Sequence, residues 1–198
     1  MKIFTTLLTI LFIVSCSENQ NTITKENPVS SSPKIDKKMR VDGFDFPVGK
    51  PNGEGYYDAQ NFGINRHLGE DWNGKDGGDT DLGDTIYAIA NGKISFAEDL
   101  KGGWGKVIRI VHQLPEEKQI ESLYAHCDQI LVNENSYVKK GDPIGTIGTA
   151  DGKYLAHLHF EIRSEVGMPI GQGYSANSGG YLNPTKFIQE NREILWEK

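Results

Sequence analysis

Lys106-Val107-Ile108-Arg109-Ile110-Val111-His112 is a β-branched run, and Gln119-Ile120-Glu121-Ser122-Leu123-Tyr124-Ala125-His126 follows it after a short polar gap. Residues of these types suit a pleated, half-buried surface, and short runs bounded by turn signals read as strands. Working outward, the same reading places strands at Thr85–Ala90, Lys93–Ala97, Ile144–Ile147 and His157–Ile162. This pattern favours an antiparallel sheet or sandwich over βαβ units. Upstream, Val41 to Gly83 holds ten glycines and reads as loop-rich, with turns rather than helices. The helix candidate begins at Pro184, with Asn183 as its N-cap and the proline in its first turn. The expected fold is therefore mainly β: a compact antiparallel sheet or sandwich with a loop-rich N-terminal part and a short C-terminal helix.

The chain has 198 residues, 37% of them hydrophobic and 24% charged, which argues against a wholly disordered or fibrous protein. Twenty-one Lys and Arg stand against 27 Asp and Glu, a net charge of −6. Binding by phosphate neutralisation needs the opposite balance, so nucleic acid is not an expected partner.

The first fifteen residues read as a signal. Lys2 precedes an apolar-plus-Thr run from Ile3 to Val14, well short of the roughly 20 residues that a membrane helix needs. The stretch Ile13-Val14-Ser15-Cys16 resembles the lipobox of bacterial lipoproteins, which implies cleavage before Cys16 and acylation of its thiol. Several acyl chains at one N-terminus anchor stably, where a single chain binds only marginally. Ser17 after that cysteine is compatible with sorting to the outer membrane, facing the periplasm.

Residues 16–40 read as a lipid-anchored flexible tether, too polar to offset the entropy of ordering, and residues 41–198 as the domain. With Lys2 and the tether's +2 set aside, the domain carries −9. A lipidated Cys16 leaves Cys127 without an intrachain partner, so it reads as a small buried hydrophobe.

Histidine placement carries the chemistry. In His157-Leu158-His159, period-two alternation puts both imidazoles on one face and Leu158 and Phe160 on the other. His67-Leu68-Gly69-Glu70-Asp71 offers an imidazole and a carboxylate around a glycine that argues against a helix and for a turn. A catalytic zinc site takes three protein ligands and an open position. Two ligands from this segment and one from the His-x-His strand make such a set. Alternation along the strand ending in Tyr124-Ala125-His126 puts Tyr124 and His126 on one face and Cys127 on the other. His112 has no acidic or histidine partner near it in sequence and reads as structural.

Five ordered segments carry a resemblance. His67-Leu68-Gly69-Glu70-Asp71-Trp72, Leu123-Tyr124-Ala125-His126, Val138-Lys139-Lys140-Gly141-Asp142-Pro143-Ile144-Gly145, His157-Leu158-His159-Phe160-Glu161 and Tyr181-Leu182-Asn183-Pro184 resemble the lysostaphin/LytM-type zinc metallopeptidases, which cut peptide cross-links of bacterial peptidoglycan. The resemblance spans roughly residues 60–190. It implies a LytM-type β domain with a groove between loops, and one Zn2+ per chain held by His67, Asp71 and His159. It also implies that His126 and His157 are unligated catalytic histidines, and that the partners are cross-link peptides and, through the lipid, a membrane. Glu161 shares the face of His159, where it reads either as a group that orients that histidine or as a solvated or core-edge carboxylate.

The chain departs from the family's pattern at Tyr154-Leu155-Ala156, where members often carry Gly-Pro before the His-x-His strand. Two other classes compete with the peptidase. One is a LytM-like module that activates other wall hydrolases without cleaving. The other is a carrier or regulatory module resembling Val138–Gly145, which leaves the histidines unexplained.

Overall fold

The computed structural model describes residues 36–197. The signal, Cys16 and the tether up to residue 35 lie outside the described residues.

Ten strands and one helix follow in order: β1 (Tyr56–Gln60), β2 (Glu70–Gly74), β3 (Thr85–Tyr87), β4 (Gly92–Asp99), β5 (Lys106–Gln113), β6 (Gln119–Cys127), β7 (Tyr137–Val138), β8 (Pro143–Thr146), β9 (Leu158–Arg163), β10 (Tyr181–Leu182) and α1 (Pro184–Glu190). The large antiparallel sheet runs β1-β2-β9-β6-β5-β4-β7, with β10 also paired to β9, and β3 pairs with β8 in a second small sheet. The fold is mainly antiparallel β, as the strand runs predict.

Alternation on the central strands explains their burial. Leu158, Phe160 and Ile162 of β9, Tyr124 of β6 and Ile108 and Ile110 of β5 join one core with Ile86 of β3 and Ile144 of β8. The opposite face carries a smaller cluster of Val107, Leu123 and Ala125, packed against Phe96, Trp104 and Ile170. All six residues of β9 are buried, so its polar members His159, Glu161 and Arg163 sit inside the protein on that second face.

The loop-rich stretch Val41–Gly83 also carries two strands, β1 and β2. Glu70-Asp71-Trp72-Asn73-Gly74 has no apolar alternation to betray a strand, and pairing with β9 is what extends it. Residues 36–40, read as the end of the tether, are folded against the domain. Lys37–Met39 form a 3-10 turn capped by Asp36, Met39 is buried, and Arg40 bridges to Gln113 at the end of β5. The Arg40 guanidinium rests on the ring of Trp196, whose indole donates to the carbonyl of Val41.

Helix α1 forms where expected, with the Asn183 side chain accepting from the Lys186 amide at 2.8 Å. Glu70 fastens it to the sheet. Its buried carboxyl accepts from the amide and hydroxyl of Thr185 at 3.0 and 2.8 Å and from the Trp72 indole at 3.1 Å. Burial holds this carboxyl above its ordinary range in spite of those bonds.

His112 is buried, donates Nδ1–H to the Asn91 carbonyl at 2.8 Å and meets the Ser122 hydroxyl at 2.8 Å. Burial pulls it from an ordinary 6.5 down to about 4. Between those values the unfolded chain takes up a proton that the folded chain refuses, so stability falls as pH drops from 6.5 toward 4. At pH 5 the loss amounts to about 2 kcal/mol. Urea melts at pH 7.5 and pH 5 are expected to show a larger decline for wild type than for His112→Gln. Equal declines would remove His112 as the source.

Candidate metal centre

Strand register brings the first two groups together. Asp71 on β2 and His159 on β9 are directly opposed in the antiparallel ladder, which places their Cβ atoms about 5 Å apart. His67 enters from the turn before β2, its backbone bridged to Tyr174. Gly69 permits this approach: a Cβ there would stand 2.5 Å from the Phe160 carbonyl oxygen and 3.1 Å from Cε1 of His159. The glycine therefore serves close packing of two strands, not a left-handed turn.

The three side chains converge. His67 Nε2 lies 3.0 Å from His159 Nδ1 and 3.4 Å from Asp71 Oδ1, and His159 Nδ1 lies 2.9 Å from the same oxygen. The outer nitrogens are already committed. His67 Nδ1 donates to the Gln60 carbonyl at 3.1 Å, and His159 Nε2 donates to Glu161 Oε1 at 3.0 Å. In neutral imidazoles those bonds leave both inner nitrogens as acceptors facing a carboxylate. Three acceptors aimed at one point call for a cation. Ligands about 2.0–2.1 Å from a tetrahedral zinc ion stand about 3.3 Å apart, close to this triangle's edges. Among the described residues, His67, Asp71 and His159 form a group whose atoms lie close enough together to hold a metal ion.

The electrostatics agree. Burial opposes the charge on Asp71, but hydrogen bonds from His159 and His67 outweigh it and hold the carboxyl well below its usual range. Burial likewise opposes a charged His159, yet its bonds to Asp71 and Glu161 push it up to about 9. A proton on His159 Nδ1 and a cation at this point exclude each other, so a metal would have to compete with that proton.

His126 and His157 stand beside the triangle. His157 donates Nδ1–H to the Leu155 carbonyl at 2.8 Å, and its Nε2 lies 3.8 Å from Asp71 Oδ1. His126 Nδ1 lies 3.3 Å from the Trp104 carbonyl, and its ring centroid is 4.8 Å from that of His157 and 5.6 Å from that of His159. Burial, with the neighbouring His159 and His157, lowers His126 to about 3, so it is a neutral imidazole near pH 7.

The expected face pattern of β6 fails here. Tyr124 and Cys127 both belong to the core cluster, and His126 lines the groove. The ladder explains the change: Ile108 pairs with Tyr124 but Lys106 with Cys127, so Val107 opposes two residues, and His126 has φ +61°. This bulge turns the histidine out of the alternation. Burial pushes the Cys127 thiol up to about 12, which suits a core residue and no ligand.

A groove of about 510 Å³ opens over the centre, lined by Asp71, His126, His157 and His159 together with Gln60, Trp104, Tyr154 and the segment Gly171–Tyr174. The aromatic lining went unread in the sequence. Tyr174 stacks on His67 at 4.9 Å, Tyr154 lies 4.9 Å from His126, and Trp104 meets His159 edge-on at 5.4 Å. Only Tyr154 had a signal, as the departure before the His-x-His strand.

Comparison with known proteins gives this geometry its kinship. Residues 66–176 match the model of Peptidase family M23. Over 81 residues the chain is 41% identical to Lipoprotein NlpD of Yersinia enterocolitica, covering 41% of this chain and 78% of that protein. It is 40% identical over 81 residues to Murein hydrolase activator NlpD of Escherichia coli (strain K12), of which it covers only 20%, against 41% of this chain. Among solved structures, a point mutant of the catalytic domain of EnpA, a prophage-encoded M23 protein from Enterococcus faecalis, superposes with a TM-score of 0.52 at 21% identity. That superposition covers 72% of this chain and 95% of that one. The family match encloses all five residues of the centre, from His67 to His159, and by it the chain belongs to Peptidase family M23, with the lysostaphin/LytM-type fold.

Proposed function

We propose that this chain is a zinc-dependent endopeptidase that hydrolyses peptide cross-links of bacterial peptidoglycan. The carrying observation is that three acceptors converge beneath two further histidines in one groove. His67, Asp71 and His159 hold the zinc, which supplies Lewis acidity toward water and a peptide carbonyl. His126 and His157 stand on the groove side of that triangle. Between them they take a proton from the attacking water, stabilise the developing oxyanion and return a proton to the leaving amine. Their Nδ1 atoms face backbone carbonyls, which turns Nε2 of each toward the substrate.

Cys16 fits a membrane anchor at the cell envelope, a reading supported by likeness to a protein named as a lipoprotein. An acyl mass on the N-terminal peptide tests it. A second reading has its own support: the likeness to a murein hydrolase activator favours a module that binds and stimulates without cleaving. Kinship favours this reading, and the intact triangle favours the peptidase.

One experiment separates them. The full chain in detergent is incubated with purified cross-linked muropeptide dimers, once zinc-loaded and once with a chelator, and the products are resolved by mass. The peptidase reading expects monomers from the zinc-loaded arm only. Zinc-loaded protein that leaves every dimer intact but accelerates an added wall hydrolase would give the activator reading the case.

A further inference from the structure

We propose that Arg163 is a positioning residue joining the metal centre to the lip of the substrate groove, an inference that rests on the zinc reading above. Arg163 is fully buried on β9. Its Nε donates to Glu161 Oε2 at 2.7 Å, and a terminal nitrogen stands 2.6 Å from the same oxygen. The other carboxylate oxygen of Glu161 accepts from His159 Nε2 at 3.0 Å. Arg163 thus fixes the carboxylate that fixes the imidazole, and this arrangement leaves Nδ1 of His159 as the ligand atom.

The same guanidinium also reaches the groove. It donates to the carbonyls of Pro169 and Ile170 at 3.1 and 2.8 Å. The next four residues, Gly171–Tyr174, form the lip of the cavity. A second, half-buried arginine works beside it. Arg109 on β5 is paired with Glu121 and donates to the Met168 carbonyl at 2.9 Å. Three successive carbonyls are therefore held by two guanidiniums from the sheet, but only Arg163 is linked to a metal-holding side chain. A lysine keeps the charge in either place and loses the planar fork, which serves a carboxylate and two carbonyls at Arg163 and a carboxylate and one carbonyl at Arg109.

The two arginines give the test its control. Arg163→Lys and Arg109→Lys are compared with wild type in the full chain in detergent, first for zinc affinity against a competing chelator. Peptide binding by the zinc-loaded proteins is then followed through Trp104 fluorescence. Arg163→Lys is expected to lose roughly 10–100-fold in zinc affinity, the usual cost of disturbing an outer partner of a metal ligand, and to bind peptide more weakly. Arg109→Lys is expected to bind peptide more weakly at unchanged zinc affinity. Glu161→Gln should reproduce the zinc loss, and joining it to Arg163→Lys should add little, because both act on one path.

Thermal melts check that each variant folds, and if Arg163→Lys does not, Glu161→Gln against Arg109→Lys carries the zinc comparison. Equal zinc losses in the two arginine variants, or none in either, would overturn the proposal. A wild type that binds zinc but cleaves nothing would overturn the peptidase reading and leave the zinc comparison intact.

Discussion

His159→Ala is expected to strip the protein of its metal. The substitution removes one corner of the acceptor triangle and leaves His67 Nε2 and Asp71 Oδ1 3.4 Å apart as the remaining pair. Two protein ligands do not make a site of the kind that holds zinc, so the loss of affinity should exceed the roughly 10–100-fold that an outer partner is worth. Elemental analysis after dialysis against apo buffer is the measurement, with wild type retaining about one zinc per chain. Folding is a fair concern, since Glu161 loses its histidine partner. Its bonds to Arg163 persist, however, and the carboxylate keeps a charged neighbour. A folded His159→Ala protein that still holds one zinc as tightly as wild type would show that the triangle is not the metal site.

His126→Ala should do the opposite, keeping the metal and losing the reaction. No atom of His126 belongs to the triangle, yet its ring lies within 5.6 Å of His159 and 4.8 Å of His157. A group that moves a proton in the transition state is worth roughly 10²–10⁴-fold, and an oxyanion donor about as much. Cleavage of a cross-linked dimer is expected to fall by that range at unchanged zinc content. The backbone at φ +61° needs its own control. Alanine is a poor resident of the left-handed region, whereas asparagine visits it readily. His126→Asn should therefore preserve the bulge and lose activity equally. Cleavage at the wild-type rate in either zinc-loaded variant would remove His126 from the chemistry.

Much of this site was legible in the sequence because metal chemistry leaves few residue choices. Type and spacing alone point to the segment from His67 to Asp71 and to the His-x-His strand, and the family resemblance narrows this to His67, Asp71 and His159. The β9 alternation that sets His159 opposite Leu158 and Phe160 follows from the pleat. What escaped depends on pairing. β2 is a strand because β9 draws it into the ladder, and its own residues give no such signal. His126 and Tyr124 part company because one residue of β5 opposes two of β6, a slip invisible to any period-two count. Arg163 reads as an ordinary charged strand residue until the fold surrounds it with a carboxylate and two carbonyls. Trp104 and Tyr174 meet the centre from loops distant in sequence, where no local pattern could place them.

The clasp of Arg40 on Gln113 has a mechanical meaning. Along the β5–β6 ladder Gln113 pairs with Gln119 at one end and Lys106 with Cys127 at the other, next to His126. Eight residues of strand make that ladder about 25 Å long. Asp36 therefore leads into the domain at its heel, while the groove sits at the toe. A force applied at Asp36 would enter the sheet about one ladder's length from the groove. Such a force would load the Met39–Arg40 clasp before β2 and β9, so the triangle of His67, Asp71 and His159 would stay unstrained.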